Sequence, residues 1–149
     1  MTGEEAMDFD IEVATEWRQE LFVGVLQLLS ELTSSPQRPS ASEFKSIIES
    51  SATRLLVAID AGTVVGMLTL ILVRIPTGLR AHIEDVAVTQ SHRRRGIGEA
   101  LTLAAIRLAQ DAGVRTIDLT SRPEREAAIR LYERLGFKRR DTGVFRFTF

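Results

Sequence analysis

The sequence predicts an α/β fold in a single domain over residues 1–149: a mixed central β-sheet flanked by about four helices. Three observations carry this reading. Apolar residues switch between alternation and helical spacing in the order β-α-α-β-β-β-α-β-α-β. A short hairpin signal, Asp60-Ala61-Gly62, joins two strand patterns in mid-chain, whereas later strands alternate with helices. With 149 residues, 44% of them hydrophobic and 26% charged, the chain is long enough to bury a core without disulfides or metal.

Each element has its own signal. Residues 1–8 read as a loose tail, and Phe9 to Ala14 alternates as a first strand. Trp17, Leu21, Val25, Leu28 and Leu32 recur at helical spacing over Glu16–Leu32, with Thr15 as a candidate N-cap. TSSPQRPS is a loop by composition. Ser40 and Glu43 then stand at capping-box spacing before a short helix that buries Phe44, Ile47 and Ile48. Arg54–Ile59 and Val64–Val73 are strands, and a loop with Pro76 and Gly78 leads to the strand His82–Val88. A helix over about 95–112 presents Ile97, Leu101, Ala104, Leu108 and Ala112 on one face, and Gly113 caps it. Val114–Leu119 is a strand. Ser121 and Glu124 repeat the capping-box spacing before a helix with Ala128, Leu131, Tyr132 and Leu135 on one stripe, ended by Gly136. Phe145, Phe147 and Phe149 alternate with Arg146 and Thr148 in a last strand, expected to pair with one near Phe137.

Composition narrows the function classes. No cysteine is present, which removes disulfides, thiolate metal sites and a cysteine nucleophile. The two histidines, His82 and His92, belong to different elements, so no metal site is expected. Net charge is −1, giving no strong field for nucleic acid or an anionic membrane, and neither is an expected partner. Seventeen of the 19 cations are arginine, the others being Lys45 and Lys138; arginine suits phosphate and carboxylate recognition. The acidic start MTGEEAMDFD has no apolar signal core, and the longest apolar run, Val64 to Val73, is too short to span a bilayer. A cytoplasmic protein is expected.

The most informative segment is Ile83–Leu101, IEDVAVTQSHRRRGIGEAL. A strand runs through a polar turn into a helix whose start is cationic and poor in side-chain bulk. The first amides of a helix have no intrahelical partner, and its dipole puts partial positive charge there, so such a start suits phosphate. A P-loop would need GxxxxGK, and no lysine is present; a dinucleotide fingerprint would need a third glycine where Leu101 stands. What remains is R-x-x-G-x-G, Arg93 to Gly98. Alone it fits an anion site or a glycine-eased turn with solvated arginines.

Here the chain resembles the GNAT N-acetyltransferase superfamily. Its signature, an arginine or glutamine, two residues, glycine, one residue, then glycine or alanine, lies at this same strand-to-helix turn. A second segment, AAIRLYERLGF from Ala127 to Phe137, resembles the family's A-x-x-L-Y-x-x-x-G-F. The resemblance extends over nearly the whole chain and implies acetyl-coenzyme A as cosubstrate, with no metal. It implies that the amides around Arg94, Arg95, Gly96, Ile97, Gly98 and Glu99 cradle the pyrophosphate with help from the Arg93 side chain. The backbone of Val86, Ala87 and Val88 would meet the pantetheine arm. The chain departs from the pattern at Arg125, where the family often has asparagine toward the cofactor, and at Gln90, where it often has proline.

Acetyl transfer to an amine requires a neutral amine, a polarised thioester carbonyl and a protonated leaving thiolate. Tyr132, the single tyrosine, occupies the family position that protonates the departing sulfur; periodicity alone also fits core packing. Strand alternation puts His82, Glu84, Val86 and Val88 on one face, with Ile83, Asp85 and Ala87 on the other. With Val88 at the phosphate end, Glu84 stands roughly 13 Å back along the strand, at about 3.3 Å per residue. Glu84 is therefore the expected base, directly or through water, with His82 second; both also fit a plain polar surface. The N–H near Val86 is the expected oxyanion donor, and His92 is expected to be exposed and idle.

The function expected is an N-acetyltransferase acting on a primary amine of a small molecule or peptide by direct attack. The rival readings are a silent acyl-coenzyme A sensor or protein-interaction module and, more weakly, nucleic-acid binding through HRRRG. The acceptor pocket is expected between the 33–40 loop, the 74–80 loop and Arg139–Val144. Arg38, Arg74, Arg80 and Arg140 hint there at an anionic acceptor. The edge of the C-terminal strand offers a place for a second subunit, making a homodimer.

Overall fold

Period-2 and period-3.6 segments alternate into nine elements in the computed structural model, which describes residues 8–149. They are β1 (Asp10–Val13), α1 (Gln19–Leu32), α2 (Ala41–Glu49), β2 (Thr53–Asp60), β3 (Thr63–Ile75), β4 (Gly78–Val88), α3 (Ile97–Asp111), β5 (Ile117–Leu119) and α4 (Glu126–Arg134). A single 3₁₀ turn, Gln90–His92, lies between β4 and α3. The tail expected over residues 1–8 lies, apart from Asp8, outside the described residues. Among the described residues no helix is long and apolar enough to cross a membrane.

The strands form one mixed sheet in the order β1-β2-β3-β4-β5. The first four pair antiparallel, and β4 pairs parallel with β5 through the α3 crossover. Helices α1 and α2 cover one face, where Leu21, Val25, Leu28, Phe44 and Ile48 bury against Leu55, Val57, Val64, Met67 and Ala87. Helix α3 covers the other, setting Ile97, Leu101, Ala105 and Ala109 on Leu56, Ala58, Leu68, Leu70, Ala81 and Ile83. Gly66 lets α3 lie this close: a Cβ there would come within 2.8 Å of Ile97 Cγ2.

Local chemistry sets the ends. Ser40 and Glu43 form the expected capping box, at 3.1 and 2.8 Å. Helices α3 and α4 end as expected, with Gly113 and Gly136 at φ 79° and 101°, and Val114 N and Phe137 N donating back to the Ala109 and Tyr132 carbonyls. Thr15 does not cap α1, which begins four residues later behind Arg18. Trp17 packs on Phe22 and Phe44 at 5.2 and 5.9 Å and holds the entering chain non-helical. Ser121 and Glu124 form no capping box either. Pro123 disfavours helix at the residue before it, a turn closed by Arg125 N to the Arg122 carbonyl (3.0 Å) intervenes, and α4 starts at Glu126.

The largest difference is at the C-terminal end. The expected strand of Phe145, Phe147 and Phe149 does not form, and none pairs near Phe137: Lys138–Phe149 has no regular structure and every residue is exposed. Alternation marks a segment able to be a strand, but a strand needs a partner, and this segment has none among the described residues.

Candidate active site

Three features converge where the parallel part of the sheet ends. The first is in β4. Its register on β3 slips between Met67 and Thr69, so that Asp85 and Val86 bulge, with Asp85 at φ 51°. The bulge reverses the alternation. Ala81 and Ile83 lie in the core under α3 with Val86 and Val88 at its margin, whereas Ala87 packs in the core under α1. The expectation that His82, Glu84, Val86 and Val88 share one face is therefore corrected. His82 and Glu84, both exposed, lie on the face opposite Ile83, and Val86 and Val88 lie on the α3 face. Strand β5 pairs only with Ala81, His82 and Ile83, so the β5 side of Glu84–Val88 carries no strand. Backbone groups on that side of Glu84–Val88 therefore have no strand partner.

The second feature is the turn into α3. Arg94 and Gly96 both take positive φ, 64° and 78°, on either side of Arg95. Alternation of this kind turns successive N–H groups toward one point, an anion-binding concavity. It opens onto the first turn of α3, where Gly96 is the N-cap and no side chain satisfies the free amides. Arg93, Arg94 and Arg95 are exposed around it, and Arg93 Nε donates to the Val88 carbonyl at 3.3 Å. Ile97 is buried and anchors the turn from below. The arrangement fits a phosphate-bearing ligand: a Cβ added at Gly96 would meet nothing within 4 Å, and one at Gly98 would make an ordinary contact with Leu131 Cδ2 at 3.6 Å.

Two residues that the sequence reading did not connect with the site hold this turn. Glu31, at the end of α1, accepts from Thr89 Oγ1 (2.9 Å) and Gln90 N (3.0 Å). Asp60 pairs with His92 Nε2 at 2.7 Å, while Ser91 Oγ lies 2.8 Å from His92 Nδ1. His92, expected to be exposed, is thus half-buried and hydrogen-bonded. Neither contact has a local sequence signal, because Glu31 acts across 58 and 59 residues and Asp60 across 32.

The third feature is α4. Arg134 donates to Glu99 at 3.2 Å, tying α4 to the first turn of α3. Tyr132 is 6% exposed, its ring edge-on to Phe137 at 5.8 Å. Among the described residues its hydroxyl has no hydrogen-bond partner, yet it is not occluded as the Ser121 hydroxyl is. Burial pushes the phenol above its ordinary value, and the positive charge of Arg125, at the N-cap of α4, opposes the rise. No hydrogen bond among the described residues joins His82 or Glu84 to Tyr132.

The segments expected to build the acceptor pocket make mainly local contacts. The 74–80 segment is a tight hairpin, since β3 runs to Ile75 and β4 starts at Gly78. Arg38 turns back onto the carbonyls of Ser35 and Gln37 (2.6 and 2.7 Å), and Arg80 donates to Thr77 Oγ1 at 3.1 Å. Arg74 and Arg140 are exposed, and no pair of the four shares a partner among the described residues.

Comparison with known proteins extends this picture. A mycothiol acetyltransferase of Paenarthrobacter aurescens is 44% identical over 59 residues, 40% of this chain and 18% of that protein. An N-acetyltransferase family 8 member 3 of Rattus norvegicus is 33% identical over 95 residues, 62% of this chain and 41% of that protein. The chain thus matches well under half the length of these relatives. The crystal structure of a Trypanosoma brucei acetyltransferase superposes with a TM-score of 0.79 at 25% identity, covering 95% of this chain and all of that one. The model of the acetyltransferase (GNAT) family matches residues 13–137, from the end of β1 through the Gly136-Phe137 cap of α4, and the chain belongs to that family.

Proposed function

We propose that the protein is an N-acetyltransferase that takes an acetyl or other acyl group from acetyl-coenzyme A and delivers it to a primary amine. One observation carries the reading: the amide concavity at Arg94–Gly98 lies at one end of a strand edge, Glu84–Val88, that β5 leaves open. A phosphate-headed ligand with a long polar arm fits this combination of anion cradle and free backbone. The relatives' names have acetyl transfer in common, which supports the same reading.

When bound, acetyl-coenzyme A supplies the activated acyl group as a thioester. The chain's residues do the rest. Arg93 and the cradle amides hold the phosphates, and the backbone of Val86–Val88 aligns the arm. The Val86 N–H, at the bulge, donates to the carbonyl oxygen as negative charge gathers there. Glu84, or a water it orients, takes the proton from the attacking nitrogen, with His82 as second candidate. The new C–N bond forms as the C–S bond breaks, and the electron pair left on sulfur takes the proton of Tyr132. A phenol held above its ordinary value remains protonated at neutral pH and so is competent to donate.

The test is release of free thiol from acetyl-coenzyme A, followed with a chromogenic disulfide across a panel of amino acids, peptides with free N-termini, amino sugars and polyamines. Amine-dependent release with at least one of them is expected. Tight binding of acetyl-coenzyme A with no release above the hydrolytic background for every amine would replace the enzyme with a binding module.

A further inference from the structure

We infer, resting on the reading of Arg93–Gly98 as a phosphate site, that Glu31 and Asp60 are positioning residues for acetyl-coenzyme A. From outside the cradle they hold the Thr89–His92 turn, so that the amides beyond it are in place before the ligand arrives.

The cradle needs such a hold. Arg94 is not glycine, yet takes φ 64°, a left-handed conformation that a Cβ disfavours. Residues in this state persist where their surroundings over-determine them. Downstream the support is plain, since Ile97 is 1% exposed in the core. Upstream no residue from Thr89 to Arg93 is fully buried, so packing alone does not fix that side. Hydrogen bonds from other elements do.

Thr89, the N-cap of the 3₁₀ turn, gives it no side-chain acceptor. Glu31 supplies one from α1: one carboxylate oxygen accepts from Thr89 Oγ1 at 2.9 Å, the other from Gln90 N at 3.0 Å. Its place in α1 is otherwise unfavourable. The last turn of a helix disfavours a carboxylate, and no basic residue of that turn offsets it. At the other end of the turn, Asp60 Oδ2 meets His92 Nε2 at 2.7 Å, with both side chains largely withdrawn from solvent.

Neither carboxylate pairs with the neighbouring arginines. Among the described residues Arg93, Arg94 and Arg95 form no ion pair, so their charges stay free for an anion. Two tethers, one from the end of α1 and one from the β2–β3 hairpin, thus fix both ends of a four-residue turn leading into the cradle. A ligand that meets an ordered turn does not bear the entropy of ordering it.

Electrostatics gives the test its sign. If only the charge field mattered, removing an acid near a site for a polyanion would tighten binding. Removing a tether should weaken it. In calorimetry on the full chain, Glu31→Ala and Asp60→Ala should each raise the Kd of acetyl-coenzyme A by about 10-fold or more, the worth of a hydrogen bond to a charged group. In turnover, KM for acetyl-coenzyme A should rise by a like factor with kcat held within about twofold. Amide exchange over residues 89–98 should quicken in the free variants and return to the wild-type rate when acetyl-coenzyme A saturates them, with β2 and β3 exchanging as in the wild type throughout. A wild type that does not bind acetyl-coenzyme A overturns the phosphate-site reading, and this proposal with it. A wild type that binds, with both variants binding equally well or more tightly, overturns the positioning role alone. So does weaker binding accompanied by faster exchange across the whole sheet, or a fall in kcat at unchanged KM.

Discussion

Tyr132 is the residue on which the chemistry and the electrostatics meet. Its ring is buried against Phe137, and desolvation outweighs the opposing charge of Arg125, so the folded protein holds the phenolic proton more tightly than the unfolded chain does. The sign follows from linkage: the stabilisation is complete below the unfolded value of about 10 and is lost as pH rises through the higher folded value. In thermal unfolding followed from about pH 9 to about pH 11, the wild type should lose stability more steeply than Tyr132→Phe. Parallel curves would mean that the phenol is not held protonated by the fold. For catalysis, Tyr132→Phe should lower kcat by about 10²-fold or more, the ordinary worth of a placed general acid, with calorimetric affinity for coenzyme A unchanged. Wild-type turnover in this variant would return Tyr132 to a packing role. The tyrosine was conspicuous in sequence as the single one of its kind beside a helical stripe, but periodicity fitted core and site alike. Its hydroxyl being accessible while its ring is buried is a tertiary fact.

At the scale of elements, the start of α3 was the most legible part of the site. Arginines and glycines between a strand and a helix announce an anion-binding helix start through backbone physics alone. Gly98 now gives a graded test. The nearest neighbour of an added Cβ is at 3.6 Å, an ordinary contact, so Gly98→Ala should fold and still bind acetyl-coenzyme A. Gly98→Trp wedges an indole between Leu131 of α4 and the first turn of α3, disturbing the cradle amides, and should lower affinity by at least about 10²-fold in calorimetry, on the order of 3 kcal/mol. Unchanged affinity would move the phosphate site elsewhere. Strand β4 was less legible. Alternation assumes an unbroken pleat, and the bulge at Asp85 breaks it, which puts Glu84 and Val86 on opposite faces. A bulge is set by pairing with β3, so the residues of β4 alone do not reveal it.

For the whole molecule, the proposed site lies on the joint between the antiparallel and parallel parts of the sheet, with Glu31 of α1 bonded to the turn before α3 and Arg134 of α4 bonded to its first turn. A ligand bound there couples elements far apart in the chain and should stabilise all of them together. At about 100 times its Kd, acetyl-coenzyme A should add roughly 2.7 kcal/mol, raising Tm by roughly 5–10 °C for a domain of this size. A shift of this size in the wild type and in Gly98→Ala, absent in Gly98→Trp, would match a ligand held at the α3 start. Equal shifts in all three would contradict it.

The order of elements through α4, the mixed sheet, the Ser40–Glu43 cap, the glycine stops and the glycine-bearing turn at Arg93–Gly98 were all written in the sequence. Each depends on neighbours within a few residues: side-chain period, a cap, a positive φ. Tertiary structure decided what depends on partners distant in the chain. Glu31 and Asp60 clamp the Thr89–His92 turn, and β3 forces the bulge in β4. The C-terminal phenylalanines mark the division most clearly: their alternation reads as a strand, and the described residues of the fold give it no pairing partner.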